Sequence, residues 1–152
     1  MEQKSAKHEA SPNQIGERKN QHIRICLEED VKAKNITTGF EDVFLIHRAL
    51  PEINLKEINT GTIVFNHKFS APIIVEAMTG GTEKSFEINA AIAQAVEELG
   101  LGMGVGSQRA ALENPKMERT FSIARKNAPN AFLVANIGGP QIVKYDIGKV
   151  EK

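Results

Sequence analysis

The chain has 152 residues, enough for one ordinary core, and its 41% hydrophobic content is that of a globular protein. Nineteen basic residues balance nineteen acidic ones, so no overall field favours nucleic acid or a membrane surface, and any anion site must be local. The single cysteine, Cys26, excludes an internal disulfide and fits a reducing, cytoplasmic setting, while four scattered histidines argue against a metal cage.

Met1 to Gly16 is too polar for a signal peptide and is expected to be a mobile tail. No apolar stretch approaches the ~18 residues of a membrane span. A helix is predicted from Arg18, with Ile23, Leu27 and Val31 on one face and Arg18 and His22 on another. Residues 17–70 then read as an N-terminal helix and hairpin region, in which Val43–Ile46 is an apolar run and Thr62–Phe65 with Asn66–Lys68 a strand and turn.

From Ala71 the chain alternates. Ile73–Val75 is expected to be a buried strand, and Glu83 to Leu99 a helix with Ile88, Ile92, Val96 and Leu99 inward, Thr82 as N-cap and Gly100 as stop. Leu101–Gly106 is a second strand, Pro115 to Asn127 a helix with Met117, Phe121 and Ala124 inward, and Phe132–Ala135 a third strand; Gly138-Gly139-Pro140 opens another helix. Strands alternating with helices imply a parallel sheet covered by helices.

Ligands of parallel α/β folds collect at the carboxyl ends of strands. Here those ends read Met78-Thr79-Gly80-Gly81, Gly106-Ser107-Gln108-Arg109 and Asn136-Ile137-Gly138-Gly139. Singly, Thr79, Ser107 and Asn136 are as well explained as strand-to-helix caps; together, with an arginine in the middle set, they favour a site for a planar, polar-edged ligand. Gly102, Gly104 and Gly106 share one face of the second strand, which marks close approach by a ligand or another backbone, or tight helix packing. A dinucleotide fingerprint is rejected, because Ser107 stands where its third glycine belongs. Arg18, Lys19 and His22 form a second cationic cluster suited to phosphate oxygens, although a solvated basic face is the commoner explanation of such a cluster. Glu76, within an apolar strand, reads as a buried and internally satisfied carboxylate. His47 and His67 read as structural.

The run of motifs resembles the type 2 isopentenyl-diphosphate delta-isomerases. It comprises Arg18-Lys19-Asn20-Gln21-His22, Leu50-Pro51-Glu52-Ile53, Ser70-Ala71-Pro72-Ile73, Met78-Thr79-Gly80-Gly81, Gly104-Val105-Gly106-Ser107-Gln108-Arg109 and Ala135-Asn136-Ile137-Gly138. The resemblance spans about Arg18 to Gln141 and implies the N-terminal part of a (β/α)8 TIM barrel, with about three βα units in residues 71–152. It implies an intramolecular isomerase of isoprenoid biosynthesis that interconverts isopentenyl and dimethylallyl diphosphate, using FMN reduced at the expense of NADPH, with Mg2+ on the diphosphate. On that resemblance Ala77, Met78, Thr79, Ser107 and Asn136 lie against FMN. Arg18, Lys19, His22, Ser107, Gln108 and Arg109 meet the substrate, with Arg109 on its diphosphate. Catalytic and metal-binding residues are expected beyond Lys152, a homo-oligomer is expected of the full-length protein, and the fragment alone is expected to be inactive. Another FMN-dependent barrel oxidoreductase, such as a hydroxy-acid oxidase relative, and a non-catalytic barrel fragment are the competing readings.

Overall fold

The computed structural model describes residues 12–146 and Gly148. Five α-helices and five β-strands alternate after an irregular N-terminal third. Helix α1 runs Pro12–Glu28, so it begins inside the segment expected to be a tail; Met1–Ser11 lie outside the described residues. Of its expected apolar face only Ile23 is buried, whereas Leu27 is 70% exposed and Val31 lies beyond the helix end. The helix instead rests on α3 (Arg109–Glu113) through the side that carries Lys19 and Ile23.

Between Glu29 and Gly61 the chain forms only two 3-10 turns, Phe40–Asp42 and Leu55–Glu57. The second is fixed by a capping box in which Asn54 accepts from the Lys56 amide and the Glu57 carboxylate accepts from the Asn54 amide. Val43–Ile46 pairs with no strand and is exposed. The hairpin is β1 (Thr62–Val64) with β2 (His67–Phe69), turned through Phe65 and Asn66 at positive φ.

Strands β3 (Ile74–Val75), β4 (Gly102–Gly104) and β5 (Phe132–Val134) form a parallel sheet in the order β3-β4-β5. The central strand β4 is wholly buried, while β3, expected to be buried, is an edge strand with Ile74 45% exposed. Helix α2 (Glu83–Leu99) connects β3 to β4; α3, a 3-10 turn at Pro115–Met117 and α4 (Arg119–Asn127) connect β4 to β5; α5 (Gly139–Lys144) follows. The expected single helix from Pro115 is thus divided, and α3 precedes it. Asn114 is the reason for the break, since its extended backbone ends α3 while its side chain caps the next turn at the Lys116 amide.

The core joins Ala93 and Val96 of α2 to Met103 and Val105, and to Phe121, Ala124 and Ala128 around α4. The inward stripe of α2 is Ser85, Asn89, Ala93 and Val96, one position round from the expected Ile88–Ile92 face, and Leu99 is 61% exposed. Small residues there allow α2 and α4 to approach closely. At the amino-terminal end of the sheet, Phe69 is buried and tilts against Phe132 with ring centroids 5.7 Å apart, and Phe65 stacks on the same ring at 6.0 Å. The hairpin therefore closes that end. No described helix is long and apolar enough to cross a membrane.

Candidate functional site

The opposite end of the sheet is built by the chain as it leaves each strand. The Gly106 amide donates to Thr79 O at 3.0 Å, and the Gln108 amide donates to Asn136 O at 2.8 Å. Thr79, Gly106, Gln108 and Asn136 consequently form one continuous rim at the carboxyl ends of β3, β4 and β5.

The glycines of β4 explain why this rim is so close-knit. A Cβ on Gly104 would lie 2.9 Å from Ala77 Cβ, and one on Gly106 would lie 2.6 Å from the Thr79 carbonyl carbon and oxygen. On Gly102 it would meet the Phe69 ring at 2.8 Å. Of the causes open from sequence, close approach of another backbone applies to Gly104 and Gly106. Protein, not ligand, fills that face.

Thr79 is buried, and its hydroxyl lies 2.7 Å from Ser85 Oγ, which lies 2.7 Å from Thr82 Oγ1. Its side chain is thus used inside the fold and does not reach the rim surface. Ala77 is half-buried and Met78 is 70% exposed, so this part of the rim presents a methionine side chain and main chain. Glu76 is exposed and accepts from the Ala77 amide at 2.8 Å, which corrects the expectation of a buried carboxylate. A two-residue edge strand offers nothing to cover it.

Helix α1 brings the other cluster to the same rim. Lys19 Nζ donates to Ser107 O at a long 3.4 Å, and lies 5.6 Å from the centroid of the Phe121 ring. The lysine stem passes 3.6–3.7 Å from the space a Gly81 Cβ would occupy. Burial first, and then the neighbouring Arg18 charge, lower the Lys19 pKa from its ordinary value of 10.5. A cation so placed gains from an anion. Arg18 and His22 are exposed on the same helix. Arg109, at the start of α3, donates through Nε to Glu113 at 2.7 Å, a pairing that leaves the outer edge of its guanidinium fork compatible with a phosphate contact. Gln108 and Ser107 are half-buried, and Asn136 is exposed.

The structure therefore gathers Lys19, Gly81, Ser107 and the Arg109 helix at one end, and Asn136 joins them through Gln108. Sequence reasoning missed Ser85, Asn89 and Thr120, the buried polar residues beneath the rim. The signal available was the polar and small stripe Ser85-Asn89-Ala93 at helical spacing. A pocket of about 190 Å3, lined by His67, Phe69, Leu101 and Phe132 among others, lies at the opposite, amino-terminal end.

This arrangement, an α/β unit with a parallel sheet and a cationic rim at its strand ends, defines a small-anion-binding class of protein. No protein-family model matches the chain. It is 56% identical over 136 residues to the isopentenyl-diphosphate delta-isomerase of Ignicoccus hospitalis, covering 89% of this chain and 37% of that protein. It is 47% identical over 135 residues to the protein of the same name from Methanococcoides burtonii, again 89% and 37%, and 48% identical over 135 residues to that of Archaeoglobus fulgidus, 89% and 39%. The motif resemblance is borne out, and the chain belongs with the isopentenyl-diphosphate delta-isomerases; it spans little more than a third of the length of these curated relatives.

Proposed function

We propose that this chain forms part of a type 2, FMN-dependent isopentenyl-diphosphate delta-isomerase with a (β/α)8 barrel, and that its rim binds the substrate diphosphate. The observation that carries the reading is Lys19, a half-buried ammonium with one long hydrogen bond, held over the carboxyl ends of parallel strands beside Arg18. The sequence similarity to proteins of that name supports the same conclusion.

In this reading Arg18 and Lys19 bind the diphosphate from the α1 side and Arg109 from the α3 side. Their joint charge holds the leaving-prone diphosphate while the alkene is protonated at one carbon and loses a proton at another. Ser107 and Gln108 orient the substrate between the two cations. Met78 and Phe121 supply apolar surface that keeps water from a carbocation-like state. The donor set fits a flavin at the rim: the Ala77–Met78 main chain, the Ser107 hydroxyl and the Asn136 amide would hold it, whereas the Thr79 hydroxyl, engaged with Ser85, would not. When bound, reduced FMN supplies an electron-rich surface and the exchangeable proton. NADPH as reductant, Mg2+ on the diphosphate and assembly of the full-length protein into homo-oligomers belong to the same proposal.

The test is conversion of isopentenyl to dimethylallyl diphosphate by the full-length protein, with flavin reduced and no external electron acceptor. Product is expected, and none under reducing conditions removes the reading.

A further inference from the structure

The polar residues buried beneath the rim converge on three consecutive positions, Thr79-Gly80-Gly81. Asn89 is 2% exposed, and its Nδ2 donates to Thr79 O at 3.3 Å and to Thr120 O at 2.8 Å. Thr120 is fully buried; its Oγ1 accepts from the Gly81 amide at 2.8 Å and donates to Met117 O at 2.7 Å. One side of the turn is thereby tied to α2 and the other to α4.

Gly81, at φ 86°, is also a spacer. A Cβ there would lie 2.5 Å from Ala110 Cβ, the residue after Arg109, and 3.6 Å from the Lys19 stem. The turn is wedged between the helix that carries Lys19 and the helix that carries Arg109. Buried amides and hydroxyls are costly unless fully paired, so a satisfied network in this place selects one geometry where apolar packing would tolerate several.

We propose that Asn89 and Thr120 are positioning residues that clamp the Thr79-Gly80-Gly81 turn and so set the separation of the two cation-bearing helices α1 and α3. The inference rests on the reading of Lys19 and Arg109 as diphosphate ligands. Neither Asn89 nor Thr120 touches the ligand. Their effect is carried by the backbone of the turn.

The experiment uses the full-length protein with inorganic pyrophosphate as probe. Thr120→Val keeps the shape and removes the hydroxyl; it is expected to speed Gly81 amide exchange about tenfold and to weaken pyrophosphate about tenfold. Asn89→Ala is expected to weaken pyrophosphate comparably, and Thr120→Ser to restore both quantities to within about twofold of wild type. Val96→Ala, a core truncation on the same helix, controls for stability, with pyrophosphate affinity unchanged although the fold is weakened. Unchanged Gly81 exchange in Thr120→Val overturns the inference whatever the substrate. So does equal loss of affinity in Val96→Ala, or failure of Thr120→Ser to rescue. Absence of pyrophosphate binding by the wild type refutes the diphosphate reading, and the clamp is then judged on exchange alone.

Discussion

Replacing Gly106 by alanine probes the closest approach in the site. The added methyl would sit 2.6 Å from the Thr79 carbonyl carbon and oxygen and 2.7 Å from its nitrogen, against 3.4–4 Å for ordinary contact. All three are backbone atoms, so no rotamer change relieves the overlap. Overpacking of this kind costs about 1–3 kcal/mol. The 3.0 Å bond from the Gly106 amide to Thr79 O lies along the same line of approach and loses about 1 kcal/mol if the strands part. A destabilisation of about 3 kcal/mol is therefore expected. Gly16→Ala is the internal reference: no atom lies within 4 Å of its Cβ and it stands inside α1, so it should stabilise by about 0.5–1 kcal/mol. Urea unfolding of the full-length protein, with the slope unchanged between variants, measures both. A Gly106→Ala protein within about 0.5 kcal/mol of wild type would refute the claim that backbone contact fills the glycine face.

Ser85→Ala should cost about 1–3 kcal/mol in the same assay, because it leaves the buried Thr79 hydroxyl without its partner. Lys19→Met should weaken pyrophosphate at least about tenfold yet stabilise the unliganded protein, since burial opposes the charge; isothermal titration and urea unfolding give the two signs. The folded pKa of Lys19 lies below its unfolded value, so the protein gains stability as pH rises through that lowered pKa towards 10.5, while pyrophosphate affinity falls across the same window. Lys19→Met should abolish both trends. Arg109→Ala should weaken the diphosphate substrate more than flavin, and equal losses would count against its assigned role. Glu97 is held below the usual carboxylate range, first by the Asn130 side chain and also by the Asn130 and Ala131 amides. Its stabilising contribution should therefore be lost as pH falls below 4.5, and Glu97→Gln should flatten that part of an acid titration.

Much of the α/β alternation was legible because it rests on local signals. Thr82 and Gly100 bound α2 as their chemistry requires, the hydroxyl accepting from the Ser85 amide and the glycine adopting φ 62°. Phe121 and Ala124 face the core as their spacing suggests. The inward face of α2 was not legible, because hydrophobic periodicity favours Ile88 and Ile92, whereas the helix turns polar and small residues to α4. Such a face is paid for by partners far along the chain, 31 residues away for Asn89 and Thr120. The Val43–Ile46 run misled for a related reason, since apolar composition alone supplies no strand to pair with. At the site, Lys19 and Ser107 are 88 residues apart, and only the family resemblance joined them before the fold did. The engagement of the Thr79 hydroxyl depends on Ser85, a partner that strand-end logic does not inspect.

The Phe121 ring fills the space where a Gly80 Cβ would stand and carries the Lys19 ammonium near its face. One benzene ring thus serves as a gauge block between a charge at the start of the chain and a bend some sixty residues later. Any slippage of α4 along its axis would be transmitted to both at once, so the spacing of the anion seat is inherited from the tightest-packed helix pair in the molecule rather than from the loops that border it.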